Sequence, residues 1–397
     1  MSGRPPTTAR TSMQVLLAFD KFKEAITAHA ACAAAAEALH SIRPDWTLDL
    51  CPLADGGDGF STILTNAAKG RFVPVDTTDA RGRPLRATYG LVSTGRVPPA
   101  VRALMPGLPE GVGDIALVET AAASGLAAIP VHERDPLRAT TRGTGELLAH
   151  AANSGASAII LGLGGSATHD LGLGALAALG LAAVDAAGEI IAWPSPDNWP
   201  RIAGWKHSPP RPLPPLYLAC DVDNPLCGPR GAAACFASQK GLPSTDVSRL
   251  DVASGKIARQ LCTTCGRTEE LLTAPGSGAA GGLGFGLACA TGARFVSGAD
   301  LVSAWLNLEQ RIRAADLILT GEGAFDATSL TGKGPGLVVA FALAAGRRAE
   351  VFAGRIAAEC VDAPNLRLHA ITPPGIQRSA ALAHTAVNLK AAIARAF

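Results

Sequence analysis

The sequence predicts an α/β fold built on parallel sheets, and three observations point to it. Short apolar runs of strand length alternate with Ala-rich helical patterns in strand–loop–helix order, beginning with Gln14–Phe19, Thr27–Leu39 and Thr47–Pro52. The 397-residue chain is 48% hydrophobic and only 17% charged, where an ordinary domain carries about 25% charged residues. That balance suits large buried sheets and excludes wholesale disorder. Third, the 44 glycines gather in loops that follow the strand-like runs. At roughly 100–200 residues per domain, the length fits two or three domains.

The elements follow in order. Gln14–Phe19 (QVLLAF) is a buried strand, Asp20–Lys23 its loop, and Thr27–Leu39 a helix with Thr27 as N-cap. Thr47–Pro52 is a second strand, and Asp55–Gly59 a turn that opens another helix. Arg71–Val75 is strand-like, Ala80–Pro84 a turn, and the Gly/Pro-rich Thr94–Gly113 an exposed loop before the strand Ile115–Glu119. Thr144–Ser154 is helical, Ala158–Leu163 a buried strand, and Leu173–Leu181 a helix after a glycine loop. Pro194–Pro215 holds eight of the 28 prolines, so it is expected to be an irregular surface excursion. Leu216–Cys220 is a strand, Ser244–Leu261 an amphipathic helix, and Gly276–Gly286 a glycine loop leading into a helix. Asp316–Thr320 (strand), Glu322–Lys333 (loop), Gly336–Ala345 (helix), Glu350–Ala353 (strand) and His369–Thr372 (strand) complete the pattern.

Several function classes drop out. A net charge of +2 gives no footprint for nucleic acid or a polybasic membrane surface. The longest charge-free stretch, Leu271–Ala293, is broken by Pro275 and seven glycines and makes a poor membrane span. The N-terminal MSGRPPTTARTSMQ lacks an apolar core, so it is read as a disordered lead over residues 1–13 and not as a secretory signal. Nine cysteines without framework spacing suggest reduced thiols and a cytoplasmic protein. The lone pair Cys262 and Cys265 has no second ligand pair for zinc nearby.

The few polar residues cluster just after predicted strands. In open α/β sheets, ligands bind outside the carboxyl ends of strands, and glycine lets the backbone approach them closely. The pattern points to an anionic ligand such as a nucleotide phosphate. Lys21 and Lys23 follow the first strand. Asp55 and Asp58 sit among glycines, suited to Mg²⁺ or a substrate hydroxyl. Gly164, Gly165, Ser166, Thr168 and Asp170 form a glycine loop that is neither a Walker loop nor G-x-G-x-x-G. His169 there is read as a helix-start residue. Asp221 and Asn224 follow another strand, with Lys240 soon after. Glu322 and Asp326, then Lys333, follow the strand at Asp316–Thr320. A carboxylate among glycines followed by a lysine suits phosphoryl transfer. Acyl transfer fits less well, because no G-x-S-x-G elbow is present.

Nine segments together resemble the glycerate kinase family, in the family's order: AFDKFK (18–23), ADGGDG (54–59), ETAAASGL (119–126), TTRGTGELL (140–148), LGLGGSATHDLGLGALAALG (161–180), ACDVDNPLCG (219–228), QKG (239–241), PGSGAAGGLGFG (275–286) and GEGAFDATSLTGK (321–333). The resemblance implies a flavodoxin-like, Rossmann-like parallel-sheet domain made from residues 1–75 and 296–397, interrupted by an inserted α/β domain over 76–295, with the active site in the cleft between them. It implies phosphorylation of D-glycerate by ATP with Mg²⁺, giving 2-phosphoglycerate. The implied partners are D-glycerate and ATP, with no nucleic acid and no membrane; a homodimer is the assembly allowed for. Asp170 or Asp326 would act as base, with Lys21 and Lys333 neutralising charge. Gly164–Ser166 and Gly281–Gly282 would make backbone contacts to phosphate, with Lys23, Asn224 and Lys240 in support. Asp55, Asp221 and Glu322 would be candidates for Mg²⁺.

The chain departs from the family pattern at several positions. Ala324 stands where the family usually has Arg, His169 where it has Asn, and Leu171 where it has Gly. Thr328, Ser329, Thr331, Ala237 and Ser238 also differ. Loss of the guanidinium at 324 removes a clamp for carboxylate or phosphate, unless Arg142 or Arg355 replaces it. The alternatives are therefore a kinase of a different small hydroxy acid, or a ligand-binding member without catalysis.

Overall fold

Apolar strand residues gather into two separate main sheets in the computed structural model, which describes residues 12–54, 56–207, 213–326, 329, 334–357 and 363–397. In chain order the strands are β1 (Gln14–Phe19), β2 (Thr47–Leu50), β3 (Arg71–Thr78), β4 (Pro84–Ser93), β5 (Asp114–Glu119), β6 (Ala158–Gly162), β7 (Leu181–Val184), β8 (Gly204–His207), β9 (Leu216–Ala219), β10 (Arg294–Val296), β11 (Leu317–Phe325), β12 (Arg348–Ile356) and β13 (Leu366–Ala370). The chain divides into two units, Met1–Ala54 with Leu306–Phe397, and Asp55–Trp305. The boundaries expected after residues 75 and 295 fall inside β3 and β10. Both strands are hydrogen-bonded into the second unit's sheet, so neither is a place where few contacts cross.

The first unit is a five-stranded sheet in the order β2-β1-β11-β12-β13, parallel throughout. Counted within the unit this is 2-1-3-4-5, the flavodoxin-like order. Val15, Leu17 and Phe19 of β1 join one core with helix Ala28–Ile42 and helix Thr385–Ala396. The intervening Leu16 and Ala18 are equally buried, as strands covered on both faces require. Each large apolar side chain so buried contributes about 1.5–3 kcal/mol. Thr27 caps its helix as expected, its hydroxyl accepting from the Ala30 N–H at 3.2 Å.

Gly321 shows how tightly this sheet closes. It pairs with Phe19 on one side and Phe352 on the other, and a Cβ there would lie 1.8 Å from the Phe352 carbonyl oxygen. Gly321→Ala is expected to cost about 1–3 kcal/mol of stability by overpacking. The readout is a lower urea midpoint at unchanged m-value; an unmoved midpoint would contradict it.

The second unit carries a six-stranded sheet in the order β10-β9-β6-β5-β4-β3. The four strands β5, β6, β9 and β10 are parallel, and β4 runs antiparallel to both neighbours. Strand β4 lies where no strand was expected. It forms a hairpin with β3 around the anticipated turn, which Asp79 closes by accepting from the Arg81 and Arg83 N–H groups. The proline-rich segment is also more regular than expected. Pro196–Arg201 is a 3₁₀ turn, and β8 pairs with β7. Its prolines avoid the ladder: Pro196 begins the 3₁₀ turn, where no N–H is needed, and none falls within Gly204–His207. Thr94–Gly113 contains the helix Pro99–Leu104, and β11 continues through Phe325, into the segment expected to be loop. Among the described residues no helix is long and apolar enough to cross a membrane.

Candidate active site

In the first unit the strand order reverses between β1 and β11. Loops leaving the two strands diverge there and open a crevice at their carboxyl ends, where ligands of such sheets bind. Strand β1 delivers Asp20, Lys21 and Lys23 to this edge. Phe22 is buried between the lysines and anchors the loop, leaving Lys21 half-buried and Lys23 exposed. The Asp20 carboxylate is buried and accepts from the Lys21 N–H at 2.6 Å. It also approaches the first residue of helix Gly334–Ala344: a Cβ on Gly334 would lie 3.2 Å from it. The loop crosses close over β11, since a Cβ on Gly323 would lie 3.3 Å from the Lys23 nitrogen.

Strand alternation puts Glu322 and Ala324 on one face of β11 and buries Phe325 on the other, and Asp326 follows directly after the strand ends. Glu322 and Asp326 are half-buried. The chain turns immediately after, where the Asp326 N–H donates to the Ser329 hydroxyl at 3.2 Å and the Ser329 N–H to the Asp326 carbonyl at 3.0 Å. This edge therefore brings together Lys21, Lys23, Glu322 and Asp326. Lys333 and Asp55 lie outside the described residues.

A second set of loops meets at the carboxyl ends of β5, β6 and β9 in the other unit. The Gly164 N–H donates to the Gly56 carbonyl at 3.1 Å, so the turn before helix Phe60–Ala67 rests on the glycine loop. Gly165, at φ +75°, forms the exposed tip; a Cβ there would strike the Asp58 carboxylate. Ser166 lies just beneath, and the Lys240 ammonium donates to its hydroxyl at 2.8 Å and to the Thr168 carbonyl at 2.7 Å. Lys240 is 2% exposed. Burial pulls its pKa down to about 7, against the opposing charge of Asp170. Lys240 thus braces the glycine loop from below. Gly281 and Gly282 are also buried, at φ +66° and +86°. A Cβ on Gly281 would lie 2.1 Å from the Thr168 carbonyl, so glycine is needed here for two loops to touch.

The acids of this unit serve mainly as caps. Asp170 is fully buried and accepts from the Thr141 N–H at 2.8 Å, the Thr141 hydroxyl at 2.9 Å, the Gly172 N–H at 3.1 Å and the Gly174 N–H at 3.2 Å. Burial raises its pKa, and those donors pull it back. Asp221 accepts from the Ala299 N–H at 2.9 Å and so holds the start of helix Gly298–Trp305. The Asn224 side chain donates to the Arg230 carbonyl at 2.8 Å and its own carbonyl accepts from the Gly278 N–H. His169 is buried, its Nε2 3.1 Å from the Ser254 hydroxyl. Burial drops its pKa to about 3, so the ring is neutral. Leu171, where the family has Gly, holds φ +54°. The strain costs roughly 1–2 kcal/mol, offset by complete burial of its side chain.

Glu119 was not singled out from sequence, because its partners lie about sixty residues away. It accepts from the Gly59 N–H at 3.2 Å and the Ser61 N–H at 2.5 Å, at the start of helix Phe60–Ala67. Burial outweighs those bonds and lifts its pKa from 4.5 to about 7. An acid with a raised folded pKa takes up a proton on folding, so its contribution is full below pH 4.5 and is lost as pH rises through about 7. Glu119→Gln is expected to flatten that part of the profile. As pH rises from 4.5 to 7 the wild-type unfolding midpoint should fall relative to that of Glu119→Gln; a constant difference across this window would contradict the titration.

Among the described residues no group of three His, Cys, Asp or Glu side chains stands ready to hold a metal ion. Asp20 is the other acid missed from sequence. Its signal was its place directly after the first buried strand, in the run Phe19–Lys23.

A family model described as the glycerate kinase family matches residues 15–397. The chain is 37% identical over 327 residues to the glycerate kinase of Bacillus subtilis (strain 168), covering 81% of this chain and 80% of that protein. It is 36% identical over 333 residues to the glycerate 2-kinase of Escherichia coli (strain K12), with 81% and 80% covered. A crystal structure from Salmonella typhimurium LT2, provisionally described as glycerate kinase 2, matches with a TM-score of 0.74 at 33% identity over 97% of both chains.

Proposed function

The chain belongs to the glycerate kinase family, and from that premise we propose that it transfers the γ-phosphoryl group of ATP to the 2-hydroxyl of D-glycerate, giving ADP and 2-phosphoglycerate, with Mg²⁺ as the metal. The observation that carries this reading is the meeting of Lys21, Lys23, Glu322 and Asp326 at the β1/β11 switch. The printed name of the Escherichia coli relative, glycerate 2-kinase, supports position 2. As an enzyme of small-metabolite chemistry the protein is placed in the cytoplasm.

Phosphoryl transfer needs positioning and charge neutralisation more than covalent chemistry. Asp326 takes the proton of the 2-hydroxyl as its oxygen bonds to phosphorus and the bond to the ADP oxygen breaks. Lys21 lies against the charge of the group in flight, and Lys23 draws the anionic reactants to the edge. The metal needs only one or two carboxylates, because it keeps waters and substrate phosphates as ligands. Glu322, a half-buried hard oxygen donor beside the lysines, fits that requirement. Asp221 fits it less well, since its carboxylate already holds a helix start. When bound, Mg²⁺ neutralises charge on the nucleotide phosphates.

The test is ADP release from ATP and Mg²⁺ with a panel of small hydroxy acids. D-glycerate should give the highest kcat/KM. Ala324 motivates the panel, and a better acceptor than D-glycerate would replace it as substrate. Calorimetric binding of both reactants without turnover would favour a non-catalytic member.

A further inference from the structure

Resting on that proposed function, we propose that Arg355 supplies, from the neighbouring strand, the guanidinium missing at position 324, and that it receives an oxyanion of the reactants. Ala324 of β11 and Arg355 of β12 are register partners in a parallel pair. Such partners project to the same face from strands about 4.8 Å apart. Both residues are exposed. Arg355 makes no ion pair or hydrogen bond among the described residues. An unpaired guanidinium on the carboxyl edge of a parallel sheet, one strand from the switch point, is a fork waiting for an anion.

The surrounding charges give the residue a task. Glu322 shares this face of β11 with position 324, and Asp326 follows directly after the strand ends. Two carboxylates alone would repel a carboxylate or phosphate arriving there, and Lys21 and Lys23 approach from the β1 loop on the other side. Arg355 adds a positive charge on the strand beside these acids. Arg142 cannot serve equally, because its guanidinium is tied to Glu146 at 3.0 Å. The anion is the carboxylate of the hydroxy acid or a phosphate of the nucleotide, and kinetics separates the two.

The experiment measures both KM values for the full-length wild type, Arg355→Ala, and the double variant Arg355→Ala with Ala324→Arg. Arg355→Ala is expected to raise one KM by about 10–100-fold, as loss of a charge-assisted bond does. The D-glycerate KM rises if the carboxylate is held, the ATP KM if a phosphate is. The double variant should recover most of that loss, because the guanidinium returns to the same space. Thermal stability should stay unchanged, since an exposed unpaired side chain is removed. Two unchanged KM values in Arg355→Ala overturn the inference, as does a raised KM that Ala324→Arg fails to lower. A wild type without D-glycerate turnover overturns the proposed function itself, which is a different result.

Discussion

Asp326→Asn is expected to lower kcat for D-glycerate phosphorylation by about 10²–10⁴-fold, the usual loss when a positioned base is neutralised. The residue follows directly after β11, half-buried, and its N–H is held by the Ser329 hydroxyl. Asparagine keeps the shape and the hydrogen-bonding capacity but not the basicity. The KM for D-glycerate should therefore change little, and the unfolding midpoint should stay near that of the wild type. A kcat within tenfold of wild type would remove Asp326 from the role.

Asp170→Ala is expected to cost about 3–5 kcal/mol of stability, in the range for removing one partner from a buried charged network. The carboxylate is the common acceptor for Thr141, Gly172 and Gly174, tying the segment before helix Arg142–Asn153 to the start of helix Leu173–Ala178. Alanine leaves those donors buried without an acceptor, each at about 1–3 kcal/mol before relaxation. It also removes the negative charge that favours the buried Lys240 ammonium. Urea unfolding reads the effect directly. A loss below about 1 kcal/mol would mean that the site relaxes or that water replaces the carboxylate. Sequence left Asp170 and Asp326 as candidates for the base; Asp170 is fully buried and accepts the hydrogen bonds of Thr141, Gly172 and Gly174 while Asp326 is half-buried, which favours the proposed role for Asp326.

What the sequence made legible was local. The strand QVLLAF, the Thr27 cap and the helix after the glycine loop all follow from periodicity and capping chemistry, and each formed where expected. Strand β4 escaped because PLRATYGLVS holds a proline, an arginine and a glycine among its apolar residues, and only its pairing with β3 and β5 makes it a strand. The glycine loops were found, but not the reason for each glycine. Gly281 is there because Thr168 lies against it, a contact more than a hundred residues away in the chain. Lys240 was expected in support of phosphate binding, and only the fold shows that it is buried with its ammonium donating to Ser166. Sequence offered Arg142 and Arg355 alike for the guanidinium missing at 324; strand register is what sets Arg355 beside Ala324, thirty-one positions away in the chain.

The most direct measurement is the product of a reaction containing the purified protein, ATP, Mg²⁺ and D-glycerate. A glycerate kinase acting on the 2-hydroxyl releases ADP only when D-glycerate is present, and forms 2-phosphoglycerate that enolase dehydrates without a mutase. D-glycerate-dependent ADP with an immediate enolase signal is the predicted result. ADP release that ignores D-glycerate, or a product that enolase accepts only after a mutase is added, would contradict it.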